Sequence, residues 1–143
     1  MKNSDLEKAK EIFDFGDYTC VLCKDEVMLT STERGVKPLL KWLHEETDVK
    51  GFSAVDKVVG RAAAFLYVLL KVKVVYASVM SQGAVEVLSK YGIRSEYDVC
   101  VKEIINREGT GICPMEQAVK GVDVPEQALE AVREKCKILN III

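Results

Sequence analysis

The segment from Ser53 to Leu70 limits the fold of this chain more than any other. Ser53 is followed three residues later by Asp56, a spacing typical of a helix start with a side-chain cap and a carboxylate in the first turn. From Ala62 onward nearly every residue is apolar, whereas a helix at the protein surface keeps one polar face. The pattern predicts one helix over residues 53–70, buried between other layers and charged only near its N-terminus.

Length and composition limit the class of protein. We expect residues 1–143 to form a single α/β domain, since a chain of this length can bury a stable core. The net charge of −2 provides no basic surface for nucleic acid. The longest apolar run, 62–70, is far shorter than the ~20 residues that span a bilayer. Five scattered cysteines do not predict a disulfide framework, so we expect a reduced, cytoplasmic protein without a membrane partner.

The remaining segments predict alternating helices and strands. Helices are predicted at 5–15, 36–46, 82–91, 114–120 and 125–139, a hairpin at 19–24 and 27–31, and strands at 72–78 and 96–101. Residues 141–143 fit either a terminal strand or a frayed apolar end. Strand–helix–strand connections require parallel neighbours, so the order predicts a three-layer α/β/α sandwich with a mixed sheet. Ligands of open α/β sheets bind where the helix N-termini gather at one edge.

The cysteine and histidine content does not favour a metal site. Cys20 and Cys23 form a Cys-x-x-Cys pair, but residues three apart on a strand point to opposite faces, so the two thiols should diverge. His44 is the only histidine of the sequence, and any Ser–His or Cys–His nucleophile would depend on it. We therefore predict no metal ligands.

The start of the predicted central helix is the first candidate site. Its main-chain N–H groups suit an anion, and Lys57 and Arg61 add positive charge. Asp56 could accept a ribose hydroxyl or act as a carboxylate base. Gly60 in mid-helix costs ~1 kcal/mol relative to alanine, which favours the close approach of a ligand or of a neighbouring helix. In the alternative interpretation, Asp56 only caps the helix and both cations extend into solvent.

A second candidate lies between a predicted strand end and a helix start. Ser81 and Gly83 occupy this junction, the usual position of a ligand-binding loop in an α/β protein. The alternative is that Ser81 simply caps the helix that follows.

A third candidate is the polar loop that leads into the short helix at 114–120. Glycines on both sides of Thr110, including Gly111, allow the backbone to approach a phosphate closely. Cys113 lies at the helix N-cap, where the helix dipole lowers the pKa of a thiol. Glu116 follows three residues later, where a carboxylate caps the same turn. The alternative is a turn and a helix cap with a buried thiol.

Three segments together resemble a functionally uncharacterised family of prokaryotic proteins assigned to the cytidine deaminase-like superfamily. They are Val55-Asp-Lys-Val-Val-Gly-Arg-Ala-Ala-Ala64, Ser81-Gln-Gly-Ala84 and Gly109-Thr-Gly-Ile-Cys-Pro-Met-Glu-Gln-Ala-Val119. The resemblance extends from about residue 17 to residue 120, and the last segment is the most specific. It implies a cytidine deaminase-like α/β/α sandwich.

The same comparison separates this chain from the zinc deaminases. Those enzymes carry His-x-Glu or Cys-x-Glu on the central helix and Pro-Cys-x-x-Cys at the next strand–helix junction. Here the corresponding segments are Gly60-Arg-Ala-Ala63 and Val79-Met-Ser-Gln-Gly-Ala84, which contain neither set of ligands. Cys113-Pro114 falls one strand too late and lacks the second thiol, so zinc-dependent deamination is not expected.

These observations predict a cleft at the sheet edge that binds a small anionic, nucleotide-like ligand such as a nucleotide or ADP-ribose, held reversibly or covalently, with no other cofactor. The predicted ligand contacts are Asp56, Lys57, Gly60, Arg61, Ser81, Gly83, Thr110, Gly111, Cys113 and Glu116. One alternative is an enzyme that uses Cys113 as nucleophile or redox centre, with Asp56 the other catalytic candidate. Another is a regulatory module that associates, as in a homodimer, through its apolar end at 138–143.

Overall fold

The computed structural model describes residues 4–106 and 108–141, which form six helices and five strands. The helices are α1 (Asp5–Phe15), α2 (Lys37–His44), α3 (Arg61–Leu70), α4 (Gln82–Lys90), α5 (Pro114–Ala118) and α6 (Pro125–Ile138). The strands are β1 (Cys20–Lys24), β2 (Val27–Ser31), β3 (Ser53–Val59), β4 (Val74–Ser81) and β5 (Arg94–Val101). Outside 53–60, the predicted elements agree with these bounds to within three residues at either end.

The five strands form one mixed sheet in the order β2-β1-β3-β4-β5. Strand β1 is antiparallel to both β2 and β3, while β3, β4 and β5 are mutually parallel. Helix α1 packs on one face against β1 and β3, and α2, α3, α4 and α6 contribute to the core on the other face. The predicted α/β sandwich with a mixed sheet is therefore confirmed.

The prediction of a single helix over 53–70 is wrong. Residues Ser53–Val59 form strand β3, and the helix begins only at Arg61. Strand β3 pairs with β1 on one side and β4 on the other, and it is largely buried on both faces. A strand buried in this way shows no alternation of polar and apolar residues, which is the pattern that distinguishes a strand from a helix.

Helix α3 is the centre of the larger core, as predicted for the apolar part of the segment. Seven of its ten residues are buried, from Ala62 through Tyr67 together with Leu70. The helix packs against α2, α4, α5 and α6 as well as β3. Lys71 ends it in the left-handed conformation, with φ of 62°. Because α3 begins at Arg61, directly after β3 ends at Val59, its first turn lies at the carboxyl ends of the parallel strands, and α3 also contacts α5.

The C-terminal segment is described only as far as Ile141, which is half-buried against the main core and donates its N–H to the Cys136 carbonyl at 2.8 Å. Ile142 and Ile143, included in the prediction for the apolar end, lie outside the described residues, as does Arg107 in the predicted polar loop. Within the described part of the chain, no helix has both the length and the apolar character needed to cross a lipid bilayer.

Candidate functional site

Asp56 is a buried carboxyl in the middle of the sheet. The residue is 6% exposed and its side chain points toward α3, where the Tyr67 hydroxyl donates to Oδ2 at 2.7 Å. The Lys57 main-chain N–H donates to Oδ1 at 2.8 Å. Cys20, which pairs with Asp56 in the β1–β3 register, places Sγ 3.2 Å from the Tyr67 hydroxyl oxygen. We call Cys20, Asp56 and Tyr67 the buried acid cluster.

Burial raises the pKa of Asp56 to about 7, although hydrogen bonds from Tyr67 and from the main-chain N–H groups of Lys57 and Val58 lower it. Burial likewise raises the pKa of the Cys20 thiol and of the Tyr67 hydroxyl, and the nearby Asp56 carboxylate raises both further. Asp56 is therefore the member of the cluster that changes charge near neutral pH. A carboxyl shifted this far is typical of functional sites, and it also couples stability to pH.

The predicted anion site on the main-chain N–H groups of residues 55–57 is wrong, because these amides belong to strand β3 and not to a helix. Asp56 consequently caps no helix. Lys57 is exposed on the strand, as in the alternative interpretation of that residue.

The helix N-terminus that does hold a negatively charged group is the first turn of α3, and that group is the Glu116 side chain. The Arg61 N–H donates to Glu116 Oε1 at 2.7 Å, and the Ala62 N–H donates to Oε2 at 2.8 Å. Gly60 is the N-cap residue, not a mid-helix residue. A Cβ atom on Gly60 would lie 2.5 Å from the Glu116 carboxyl carbon, so the glycine allows the carboxylate to approach. Glu116 caps α3, whereas its predicted role was to cap α5.

Arg61 connects the same turn to the chain that follows α5. Its guanidinium donates to the carbonyl oxygens of Val119 and Val122 and forms an ion pair with Asp123 at 3.2 Å. A Cβ atom on Gly83 would lie 3.4 Å from Arg61 Cδ, so α4 packs closely on this side chain. We call Gly60, Arg61, Gly83 and Glu116 the clasp, because together they hold residues 114–123 to the start of α3.

The other predicted contacts have local roles. The Ser81 hydroxyl is buried and accepts the Ala84 N–H at 3.1 Å, as a plain cap of α4. Thr110 is exposed, and its N–H donates to Asn106 Oδ1 at 3.0 Å within the loop. The Gly111 carbonyl accepts the Asn106 N–H at 2.8 Å, which closes the same loop. This loop is therefore organised by its own hydrogen bonds.

Cys113 is half-buried at the N-cap of α5, and its N–H donates to the Ile104 carbonyl at 2.9 Å. Among the residues that the structure describes, no side-chain hydrogen bond caps that helix. The thiol as a nucleophile or redox centre stays a prediction.

The Cys20 and Cys23 thiols diverge as predicted. Cys20 belongs to the core on the α3 side and contacts Tyr67, whereas Cys23 belongs to the cluster beneath α1. Among the residues described, no three side chains of His, Cys, Asp or Glu are grouped so that they could hold a metal ion.

The structure thus brings four predicted contacts together in the clasp and places Asp56 in the buried acid cluster. The sequence interpretation missed Cys20 and Tyr67 as partners of that carboxyl. One signal was available, because Tyr67 interrupts an otherwise apolar helix and a buried tyrosine hydroxyl usually requires a hydrogen-bond partner. That partner could then be sought among the buried polar groups.

Replacing Gly60 by alanine should displace Glu116 from α3. The added Cβ occupies the position of the carboxyl group, so both N–H bonds are lost, and we expect a loss of about 1–2 kcal/mol in the free energy of unfolding. Urea unfolding measures the change. Gly111→Ala is the matched control, since its φ is not left-handed and, apart from its chain neighbours, no atom of the described residues lies within 4 Å of its Cβ position. Equal stabilities of the two variants would contradict the role assigned to Gly60.

Comparison with known proteins identifies a family. The family described as TM1506, domain of unknown function (DUF1893), matches residues 8–136. The crystal structure of a DUF1893 family protein (TM1506) from Thermotoga maritima superposes with a TM-score of 0.84 at 28% identity, covering 94% of this chain and 92% of that chain. No curated protein matches the sequence. These comparisons do not test the resemblance to the cytidine deaminase-like superfamily, which stays a prediction.

Proposed function

We propose that this chain, which belongs to the DUF1893 family, is a cytidine deaminase-like protein that binds a small anionic, nucleotide-like ligand without zinc deaminase chemistry. The anionic group would bind at the first turn of α3. The observation that supports this position is the Glu116 carboxylate, which accepts both the Arg61 and the Ala62 N–H groups. In this proposal its two oxygens stand in for the phosphate or carboxylate oxygens of a ligand.

The physical basis of the proposal is the end of a helix. The first N–H groups of α3 have no partner within the helix, and the helix dipole places partial positive charge there. Phosphate groups bind at helix N-termini for both reasons. Helix α3 is ten residues long and buried, so its first turn is held rigidly at the carboxyl edge of β3 and β4. Open α/β sheets commonly bind their ligands at this edge.

The ligand must compete with Glu116 for the same two N–H groups. Glu116 is half-buried and projects from a five-residue helix, so its side chain can rotate away while the fold is preserved. The apparent association constant is then the intrinsic one multiplied by the fraction of molecules in which Glu116 has left the site. The nucleotide-like part of the proposal rests on the superfamily resemblance, whereas the preference for an anion rests on the geometry of α3.

Removal of the internal carboxylate tests the proposal. Glu116→Ala leaves the Arg61 and Ala62 N–H groups free. We therefore expect AMP and ADP-ribose to bind to this variant about tenfold more tightly than to the wild type, equivalent to about 1.4 kcal/mol. Isothermal titration calorimetry measures both affinities. Glu134→Ala, which removes an exposed carboxylate on α6, is the control and should bind as the wild type does. A folded Glu116→Ala protein with no gain in affinity would contradict the proposal.

Mass spectrometry of protein purified from cells distinguishes the two modes of ligand retention. Added mass in native spectra that disappears on denaturation would support a reversibly bound ligand. Added mass that survives denaturation would indicate covalent attachment, which digestion would map, with Asp56 and Cys113 the first sites to inspect.

A further inference from the structure

The opposite edge of the sheet contains a buried hydroxyl group that has no hydrogen-bond partner in the described part of the chain. Ser53 is 0% exposed, and among the described residues its Oγ is the buried side-chain polar atom that lacks a partner. Ser53 lines a surface cavity of about 230 Å³ together with Ser4, Leu6, Lys73, Val74 and Arg94. Ser53, Val74 and Arg94 are the first residues of β3, β4 and β5, so the cavity lies at the amino edge of the parallel strands.

An unpartnered buried hydroxyl is unfavourable, and native proteins contain few of them. Ser53 lies on the α1 side of the sheet, since Val55 two residues later packs in the cluster beneath α1 with Leu6 and Val74. The hydroxyl therefore lies on the face that the cavity occupies. A group bound in the cavity could accept its hydrogen.

Two further features give this cavity a preference for anions. Helix α1 begins at its rim and has 11 residues, and its N-cap Ser4 accepts the Glu7 N–H at 3.1 Å. The earlier N–H groups of this first turn have no partner within the helix, and the positive end of its dipole faces the rim. Of the described residues that line the cavity, two are cationic and none is acidic.

Both cations can reach an anion in the cavity, although each already has an acidic neighbour. Lys73 Nζ lies 3.6 Å from Asp5 Oδ2, and Arg94 Nε lies 3.3 Å from Glu96 Oε2. The Lys73 and Arg94 side chains are 58% and 66% exposed, so these ion pairs are weak and can rearrange. The other Asp5 oxygen accepts the Asp25 N–H at 3.0 Å, and Asp5 is not one of the described residues that line the cavity.

We propose that this cavity is a second anion site, which binds free phosphate or the phosphoryl group of a small molecule. The Ser53 hydroxyl is the buried donor, Lys73 and Arg94 supply the charge, and the first turn of α1 supplies main-chain donors. The site lies at the edge of the sheet opposite the clasp. The proposal of this second site therefore does not depend on the function proposed above.

The test uses the full chain labelled with nitrogen-15 and titrated with sodium phosphate, with sodium chloride at matched ionic strength as the reference titration. We expect saturable shifts of amide signals at residues 5–7, 53, 73–74 and 94. Ser53→Ala and Lys73→Met should each weaken phosphate binding about tenfold, and Ser53→Thr, which keeps the hydroxyl, should retain it. Arg133→Met, which removes an exposed cation on α6, is the control and should change nothing.

Several results would overturn the second site: phosphate shifts that equal those of chloride, shifts that do not saturate, or unchanged affinity in Ser53→Ala. Shifts confined to residues 60–62 would also overturn it, while supporting anion binding at α3. If Ser53→Ala does not fold, Lys73→Met and Arg94→Met decide the question, because both replace exposed side chains.

Discussion

The free energy of unfolding of the wild-type protein should fall as the pH rises from about 4 to about 7, and replacement of Asp56 by asparagine should abolish this fall. The pKa of Asp56 is about 7 in the folded protein, against an ordinary value of 3.8. Between these values the folded state binds more protons than the unfolded state, so the free energy of unfolding falls as the pH rises. The asparagine variant has no such proton. Its amide oxygen can still accept the Lys57 N–H while its NH2 group donates to the Tyr67 hydroxyl oxygen.

The expected difference is large for a single side chain. A pKa of about 7 in the folded protein against 3.8 in the unfolded chain corresponds to about 4 kcal/mol, so the variant should match the wild type near pH 4 and exceed it by about this amount at pH 8. Urea unfolding at a series of pH values measures the slope. Asp17→Asn, which alters an exposed carboxylate, should retain the wild-type slope. An Asp56→Asn protein with that same slope would show that Asp56 does not titrate near neutrality.

Arg61→Met should destabilise the protein by about 3 kcal/mol. Methionine preserves the apolar stem but leaves the Val119 and Val122 carbonyl oxygens without their charged donor, and Val119 is fully buried. Urea unfolding gives the stability, and hydrogen exchange should show reduced protection across residues 114–123. Arg61→Lys should recover only part of the loss, because an ammonium group cannot reproduce the planar fork of a guanidinium.

The control for that experiment is Arg133→Met, which removes an exposed arginine on α6. Its stability should stay within about 0.5 kcal/mol of the wild type. If Arg61→Met kept the wild-type stability and the same protection of residues 114–123, the guanidinium would not hold that segment to α3.

Features that depend on near neighbours in the sequence could be predicted. The helix starts at residues 5 and 82 were predicted, and there the Ser4 and Ser81 hydroxyls accept main-chain N–H groups three residues ahead. The hairpin and the parallel crossovers also follow from local patterns. Strand β3 could not be recognised, because the spacing of Ser53 and Asp56 imitates a helix cap and burial on both faces removes the alternation.

The candidate site depends on contacts between distant residues, and there the prediction was partial. The requirement for close approach at Gly60 was anticipated, but its partner Glu116 lies 56 positions away and belongs to another helix. Spacing within one segment suggested that Glu116 would cap α5. The environment of Asp56 likewise arises from the pairing of β1 with β3 and the packing of α3, which no local pattern encodes.

The long separation between the two halves of the clasp also has a consequence during synthesis. Glu116 follows Arg61 by 55 residues, and all five strands precede it in the chain. Chains emerge N-terminus first, and closing a long loop is among the slower steps of folding. The nascent protein can therefore assemble its whole sheet and α3 before the glutamate leaves the ribosome. During that interval the first turn of α3 is exposed to the anions of the surrounding solution.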